Sequence, residues 1–366
     1  MPPLEAWEKV LVDYDAYSET QHALLTCIEC HRGVDDPNKE TAHEGLRHDP
    51  SIEVDIACAR CHPDESAHQE GNLHFNLRGY DTSLAARSSE EAHAALGEMQ
   101  TYHCDNCHAS CGQCHVSQPN SVGGGLLEGH VYKKTPPMTR TCTACHGSRV
   151  GNEYLGKNEG YLADVHFRQA RFVCADCHED NEMHGVYNQE DAHRYDGDER
   201  PTCETCHEDV IAGTSDVVQH TIHTDRLSCQ VCHSVTYKSC DGCHTQKNVD
   251  GVPFFETEGS YMTFFIGKNP IQNEERPYEY VPVRHVPISR DSFEYYGDNL
   301  LSNFDAAPTW RYTTPHNIQL QTPQNSACTS CHGNAEIFLT ADKVTPEEIE
   351  ANRDVIVDVV PPVIGE

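Results

Sequence analysis

Cys-x-x-Cys-His occurs ten times in this chain, and the ten copies use all 20 cysteines. The first cysteines are Cys27, Cys58, Cys104, Cys111, Cys142, Cys174, Cys203, Cys229, Cys240 and Cys328. The second are Cys30, Cys61, Cys107, Cys114, Cys145, Cys177, Cys206, Cys232, Cys243 and Cys331. Each second Cys is followed by a His: His31, His62, His108, His115, His146, His178, His207, His233, His244 and His332. Two thiols at this spacing can add across the two vinyl groups of a haem, and the adjacent His can bind the iron from one face. One copy alone would leave a zinc site or a redox dithiol open. Ten copies close those readings. A disulfide scaffold does not require a His after every second Cys, and zinc-binding Cys pairs carry no fixed His beside them. The cofactor reading is ten covalently bound haem c groups, each with two thioethers and one proximal His.

The other face of each iron needs a ligand unless it is a substrate site. Fifteen His remain outside the motifs, and the chain has only five Met. General Met/His ligation is therefore excluded, and bis-His coordination is the economical expectation, with low potentials because Met would raise them. The expected distal ligands are His22, His43, His74, His103, His130, His166, His184, His220, His223, His285 and His316. His22, His166, His220 and His223 lie just before a motif; His130 and His316 each lie twelve residues before a motif Cys. His43, His74, His184 and His285 sit in motif-dense stretches or beside aromatic and Pro residues, and His103 abuts Cys104. His48, His68, His93 and His193 sit among acidic or Ala-rich residues and read as solvated.

The elements that must position these groups are unusual. Only 37% of the 366 residues are hydrophobic, and the mean hydropathy is -0.63. Such a chain cannot rely on an ordinary side-chain core. The expected fold is that of a multihaem cytochrome: mostly coil with short α-helices and little or no sheet, the polypeptide wrapped around a row of ten haems. The close pair CDNCHASCGQCH is the clearest constraint. Seven residue steps separate its first cysteines, a reach of at most about 25 Å, so the two bound groups must be neighbours. Cys229 and Cys240 are held almost as tightly.

The formal net charge is -32. That excludes nucleic acid as a partner, which needs a basic footprint, and favours cationic partners. No apolar run approaches the ~20 residues of a transmembrane helix. The N-terminal MPPLEAWEKV has no apolar signal core. Haem attachment to such motifs takes place on the exported side of a membrane, so the expectation is a mature, exported chain, extracellular or at the cell surface rather than periplasmic.

Spacing suggests duplication. Cut between the fifth and sixth motifs, each half reads as two single motifs, a close pair and one more. GHVYKKTPPMTRTCTACHGS and PHNIQLQTPQNSACTSCHGN close the two halves with matching text. The expected organisation is an N-terminal segment 1–26, a five-haem unit 27–150, a second five-haem unit 151–332, and an acidic tail 333–366. The second unit carries a motif-free, aromatic-rich insertion at 245–327, read as a loop that shields a haem edge and delivers His285 and His316. The tail is expected to begin with a short capped helix at Thr345 and then extend, reaching across another subunit.

These motifs resemble the multihaem c-type cytochromes, specifically the decahaem ones, over Cys27–His332. The resemblance implies electron hopping along closely packed bis-His haems, with redox proteins or an extracellular acceptor as partners. Two architectures in that class fit: a subunit that plugs an outer-membrane porin, and an extracellular subunit that polymerises head to tail into a conducting filament. The aromatic insertion and acidic tail depart from the porin-associated type. Self-association of so acidic a chain needs cations such as Ca2+, or hydrophobic haem edges, to offset the charge. The alternative function is a multihaem oxidoreductase acting on nitrogen or sulfur oxyanions at one open haem. No motif here ends in Lys, the mark some of those enzymes carry, so no catalytic residue is assigned.

Overall fold

The computed structural model describes residues 4–107, 109–184, 195–196, 200–210 and 215–364. His108 and His193 lie outside the described residues. Helices are short, the longest being the 11-residue His93–His103. Turns and coil join them, with two small sheets among the described residues.

The chain divides into two compact units. The first comprises 1–80, 104–147 and 173–200, and the second 81–103, 148–172 and 201–366. The spatial division therefore differs from a cut at 150: the sixth motif, Cys174–His178, joins the first five.

In the first unit local polar signals start the turns. Thr26 and Glu29 form a capping box that begins helix Cys27–His31. Asp49, Ser51 and Ser110 form a network at the fourth motif: Ser110 and Ser51 donate to Asp49 at 2.9 and 2.5 Å, and Ser51 Oγ accepts from Gly112 N–H at 2.8 Å. A Cβ at Gly112 would sit 2.8 Å from that Oγ, so glycine is required for the close approach. Apolar packing is nearly missing. Among the described residues of this unit only Val54, Val116 and Leu127 are buried hydrophobic side chains. Three such side chains cannot offset the conformational entropy of ordering three separate stretches of chain.

The second unit has a side-chain core of its own. Strands β1 (Tyr237–Lys247) and β2 (Pro253–Thr263) form an antiparallel ribbon, turned at Asn248–Val252 where Gly251 has φ +79°. Asn248 Oδ1 accepts from the amides of Asp250 and Val252, a turn that Asp-Gly favours. Strands β3 (Phe265–Lys268), β4 (Tyr280–His285) and β5 (Trp310–Tyr312) form a three-stranded antiparallel sheet in the order β3-β4-β5. Val231, Tyr237, Phe264, Ile266, Phe338 and Val357 pack into one cluster. Tyr237 OH links ribbon and sheet, donating to the Val283 carbonyl at 2.6 Å.

The segment read as a shielding loop thus supplies most of two sheets, because its aromatic and β-branched residues have apolar partners to pack against. The tail also differs from expectation. It does contain a short helix, Ile349–Asn352, but it then folds back onto its own unit. Val355, Ile356 and Val357 are buried, and Val355 O accepts from Lys268 N at 2.8 Å.

His285 shows what this packing does to a titratable group. Its Nδ1 lies 2.8 Å from the Cys240 carbonyl and its Nε2 3.0 Å from Glu348. Burial works to lower its pKa, but the Glu348 hydrogen bond and charge, with Cys240 O and Asp241, outweigh it and the pKa is raised above 6.5. A raised His pKa stabilises the fold fully below the unfolded value and loses that contribution as pH rises through the folded value. The protection factors of amides in β4 and in Ile349–Asn352, with the base-catalysed rise common to all amides divided out, are therefore expected to fall as pH rises above 6.5. Glu348→Gln should flatten that dependence, and an unchanged pH profile in that variant would count against the pair.

Candidate metal centres

The motifs share one turn. In the second, sixth, seventh and tenth, the His N–H donates to the carbonyl of the first Cys, at 2.9, 2.8, 3.0 and 3.0 Å. The first, fourth, fifth and eighth motifs are helices over the same five positions. Residues at i, i+3 and i+4 of such a turn lie on one face, so both thiols and the imidazole face the same side. The third motif has a turn at Asp105–Cys107, its His lying outside the described residues. The ninth is the exception. Cys240–His244 runs within β1, where Gly242 has φ +40°, and positions three apart in a strand fall on opposite faces.

A second His was expected at most or all of the ten motif His, and among the described residues seven motif His lie opposite one. Ring centres lie 5.8 Å apart for His31 and His130, 6.3 Å for His62 and His22, and 5.9 Å for His115 and His184. The others are His146 with His74 at 6.3 Å, His207 with His166 at 6.1 Å, His233 with His220 at 6.1 Å, and His332 with His223 at 6.3 Å. Every pair joins one motif His to one free His. An iron midway between two imidazoles, with bonds of about 2 Å and ring centres about 1.1 Å behind each nitrogen, sets the centres roughly 6 Å apart. The donor set therefore fits a bis-His haem at seven sites.

The outer nitrogens support the same fit. Nδ1–H of His31 donates to Arg47 O at 2.6 Å, and that of His115 to Lys133 O at 2.6 Å. His223, His233 and His332 donate to the carbonyls of Gln219, Gln319 and Pro362 at 3.0, 3.1 and 3.0 Å. His166, His178 and His184 use the carboxylates of Asp164, Glu182 and Asp180 at 3.0, 2.7 and 2.7 Å. A ring anchored at Nδ1 has its tautomer and direction fixed and Nε2 left for a metal. Burial lowers the pKa of His22, His74, His115, His130 and His220, holding them in the neutral form that binds metal. Glu182 and Asp164 instead raise His178 and His166 through their hydrogen bonds, against burial.

Four expected distal ligands are placed otherwise. His103 gives Nε2 to Tyr296 OH at 2.8 Å, and His285 gives Nε2 to Glu348. His316 is held through its backbone N–H, which donates to Glu153 at 2.9 Å. His43 is exposed at the end of helix Lys39–Ala42. His48 and His93, read as solvated, are exposed.

Neighbouring motifs touch through their thiols. Cys107 hydrogen-bonds to Cys145, Cys142 to Cys174, and Cys203 to Cys229. Those bonds lower Cys142 and Cys145 to about 7. Burial and the charge of Cys111 raise Cys58 to about 11. In the first unit the second motif thus lies by the fourth, and the fifth touches both the third and the sixth. Among the described residues, Cys203, Glu204 and Cys229 form a group that could hold a metal ion by itself, their ligand atoms lying within 4.8 Å of one another. A zinc site there would leave Cys206 and Cys232 without a role, so haem attachment accounts for more of the residues. The carboxylate partners escaped the motif reading, though the signal exists: Glu182 is four residues after His178, Asp180 four before His184, and Asp164 two before His166. Comparison with protein-family models, curated proteins and solved structures finds no match to this chain.

Proposed function

We propose that this chain is an exported decahaem c-type cytochrome that passes electrons along closely spaced bis-His haems, outside the cell or at its surface. The seven ring pairs at haem-ligating distance carry this reading. When bound, haem supplies a reversible one-electron couple, and two imidazoles keep the iron six-coordinate and low in potential. The chain supplies the rest: thiols that hold each group at a turn, carbonyls and carboxylates that fix each imidazole, and thiol-to-thiol contacts that keep successive sites adjacent. The acidic surface suits cationic redox proteins or an extracellular acceptor.

The test is production with c-type haem maturation, haem quantitation per chain, and ferric EPR. Ten haems per chain, nearly all low-spin, are expected. His74→Ala should turn about one iron in ten high-spin, since it removes the partner of His146. A matured chain that carries zinc and no haem would sink the reading. One observation favours the second reading, an oxidoreductase with one open site. Among the described residues His244 has no second imidazole beside it, its Nε2 lying 3.6 Å from Glu258.

A further inference from the structure

One aromatic ring touches the free imidazoles of two different pairs. Tyr132 stacks on His22, the free His of the second site, with ring centres 3.9 Å apart and planes 19° from parallel. The same ring meets His130, the free His of the first site, edge to face at 5.7 Å and 78°. Tyr17 adds a second tie. Its ring lies 5.3 Å from that of His130, and its hydroxyl donates to the His22 carbonyl at 2.9 Å. His130 itself is held at φ +77°. A residue with a Cβ keeps that conformation only where its surroundings hold it there. Burial pushes the Tyr132 phenol up, and the charges of Cys30 and Cys58 add to it. Cys30 belongs to the first motif and Cys58 to the second, so a thiol of each site lies near the ring as well as an imidazole of each. All of these residues belong to the first unit.

The second half folds the matching segment without such a ring. Tyr132 lies two residues after His130, and Ile318 lies two residues after His316. Ile318 is fixed by its backbone, its N–H donating to Asp164 at 2.7 Å and its carbonyl accepting from Val165 N–H at 3.0 Å. His166, the counterpart of His22, meets the Phe172 ring at 6.4 Å rather than 3.9 Å. The close stack is therefore particular to the first half and is not a demand of the repeat.

From the contacts of one ring with both imidazoles we infer that Tyr132 is the bridge through which an electron passes between the first and second sites. The inference rests on the bis-His haem reading above. Tyr132 is not itself oxidised. One electron leaves the ferrous iron held by His31 and His130, and the ferric iron held by His62 and His22 gains it. The filled π orbitals of Tyr132 couple the two imidazoles. No bond forms or breaks, and no proton moves.

The experiment times an injected electron. All 20 native cysteines belong to motifs, so one added cysteine gives a single point for a ruthenium photosensitiser. Lys39→Cys places it on the exposed helix after the first motif, and Glu179→Cys places it directly after the sixth. His74→Met, present in every sample, marks the fifth site, because a Met ligand raises the potential and gives that site its own absorption band. A flash injects one electron, and its arrival at the marked site is followed on matured protein with counted haem. After injection at Lys39→Cys, arrival should slow about tenfold or more in Tyr132→Leu, where a gap replaces the ring, and keep its rate in Tyr132→Phe. After injection at Glu179→Cys, Tyr132→Leu should change nothing, since the sixth motif touches the fifth directly. An unchanged rate from Lys39→Cys in Tyr132→Leu would overturn the inference, while ten low-spin haems left the cytochrome reading standing. Equal slowing in Tyr132→Phe would overturn it by showing that the hydroxyl, and not the ring, matters. Slowing from both labels would overturn it as general damage to the unit. A chain with no covalent haem would remove both readings at once.

Discussion

Produced without haem attachment, the chain is expected to lose the structure of its first unit and keep a large part of the second. The cause is the uneven apolar core. Val54, Val116 and Leu127 are the buried hydrophobic side chains described for the first unit, whereas the second packs Tyr237, Phe264, Ile266, Phe338, Leu339 and Val357 around its sheets. A region that cannot bury its own side chains folds only if something else supplies apolar surface, and binding free energy then becomes folding free energy. Hydrogen exchange read by mass spectrometry on matured and haem-free chains measures this by segment. In the haem-free chain, amides of 27–80 and 104–147 should exchange within seconds, while those of β3, β4 and β5 stay protected by orders of magnitude. Equal protection of both units without haem would show that side chains alone hold the first.

Arg284→Met is expected to destabilise the second unit by about 3–5 kcal/mol, the range for removing one partner of a buried ion pair. Arg284 donates to Glu153, and both side chains are buried. Glu153 also accepts from His316 N–H at 2.9 Å. Even with its partner present, burial raises the Glu153 pKa, against the pull of Arg284 and the His316 amide. The folded state therefore holds a proton here more tightly than the unfolded chain, whose carboxyl titrates near 4.5. Stability from this group falls as pH rises through that window. In Arg284→Met the carboxyl can escape by protonating, so the loss should be small at low pH and grow as pH rises. Urea unfolding of the matured protein at several pH values measures it. A constant loss across pH would mean that Arg284 acts through packing over the Tyr237 ring, whose centre lies 5.1 Å from its guanidinium.

The local turn of most motifs was legible in the sequence, because five residues specify it. Cys58–His62 and Cys203–His207 reach it without a regular helix. Of the eleven free His expected as second ligands, seven stand opposite a motif His, and their positions before or between motifs were legible. Their partners were not, since pairing His31 with His130 is a long-range property that no local pattern encodes. The carboxylates that orient His178 and His184 are visible only once helical spacing is applied to them. The strands of 253–312 were missed for a different reason. Pro and Gly punctuation outweighed the aromatic content of FFETEGSYMTFF, and burial against Phe338 and the tail was not visible locally. His103 and His285 were drawn in by proximity to motifs and aromatics, but their Nε2 atoms satisfy Tyr296 and Glu348.

The first unit is assembled from three stretches that the chain visits at different times, and this sets a schedule for synthesis. A chain made N-terminus first presents His31 long before His130, and His115 long before His184. Four motifs will have emerged, with their thiols and proximal imidazoles ready, while two of those sites still wait for the sequence that closes them. The ring pairs of the first unit therefore cannot all close until residue 184 has been made. During that interval the thiols lie on an open chain, the form in which each of them can be reached.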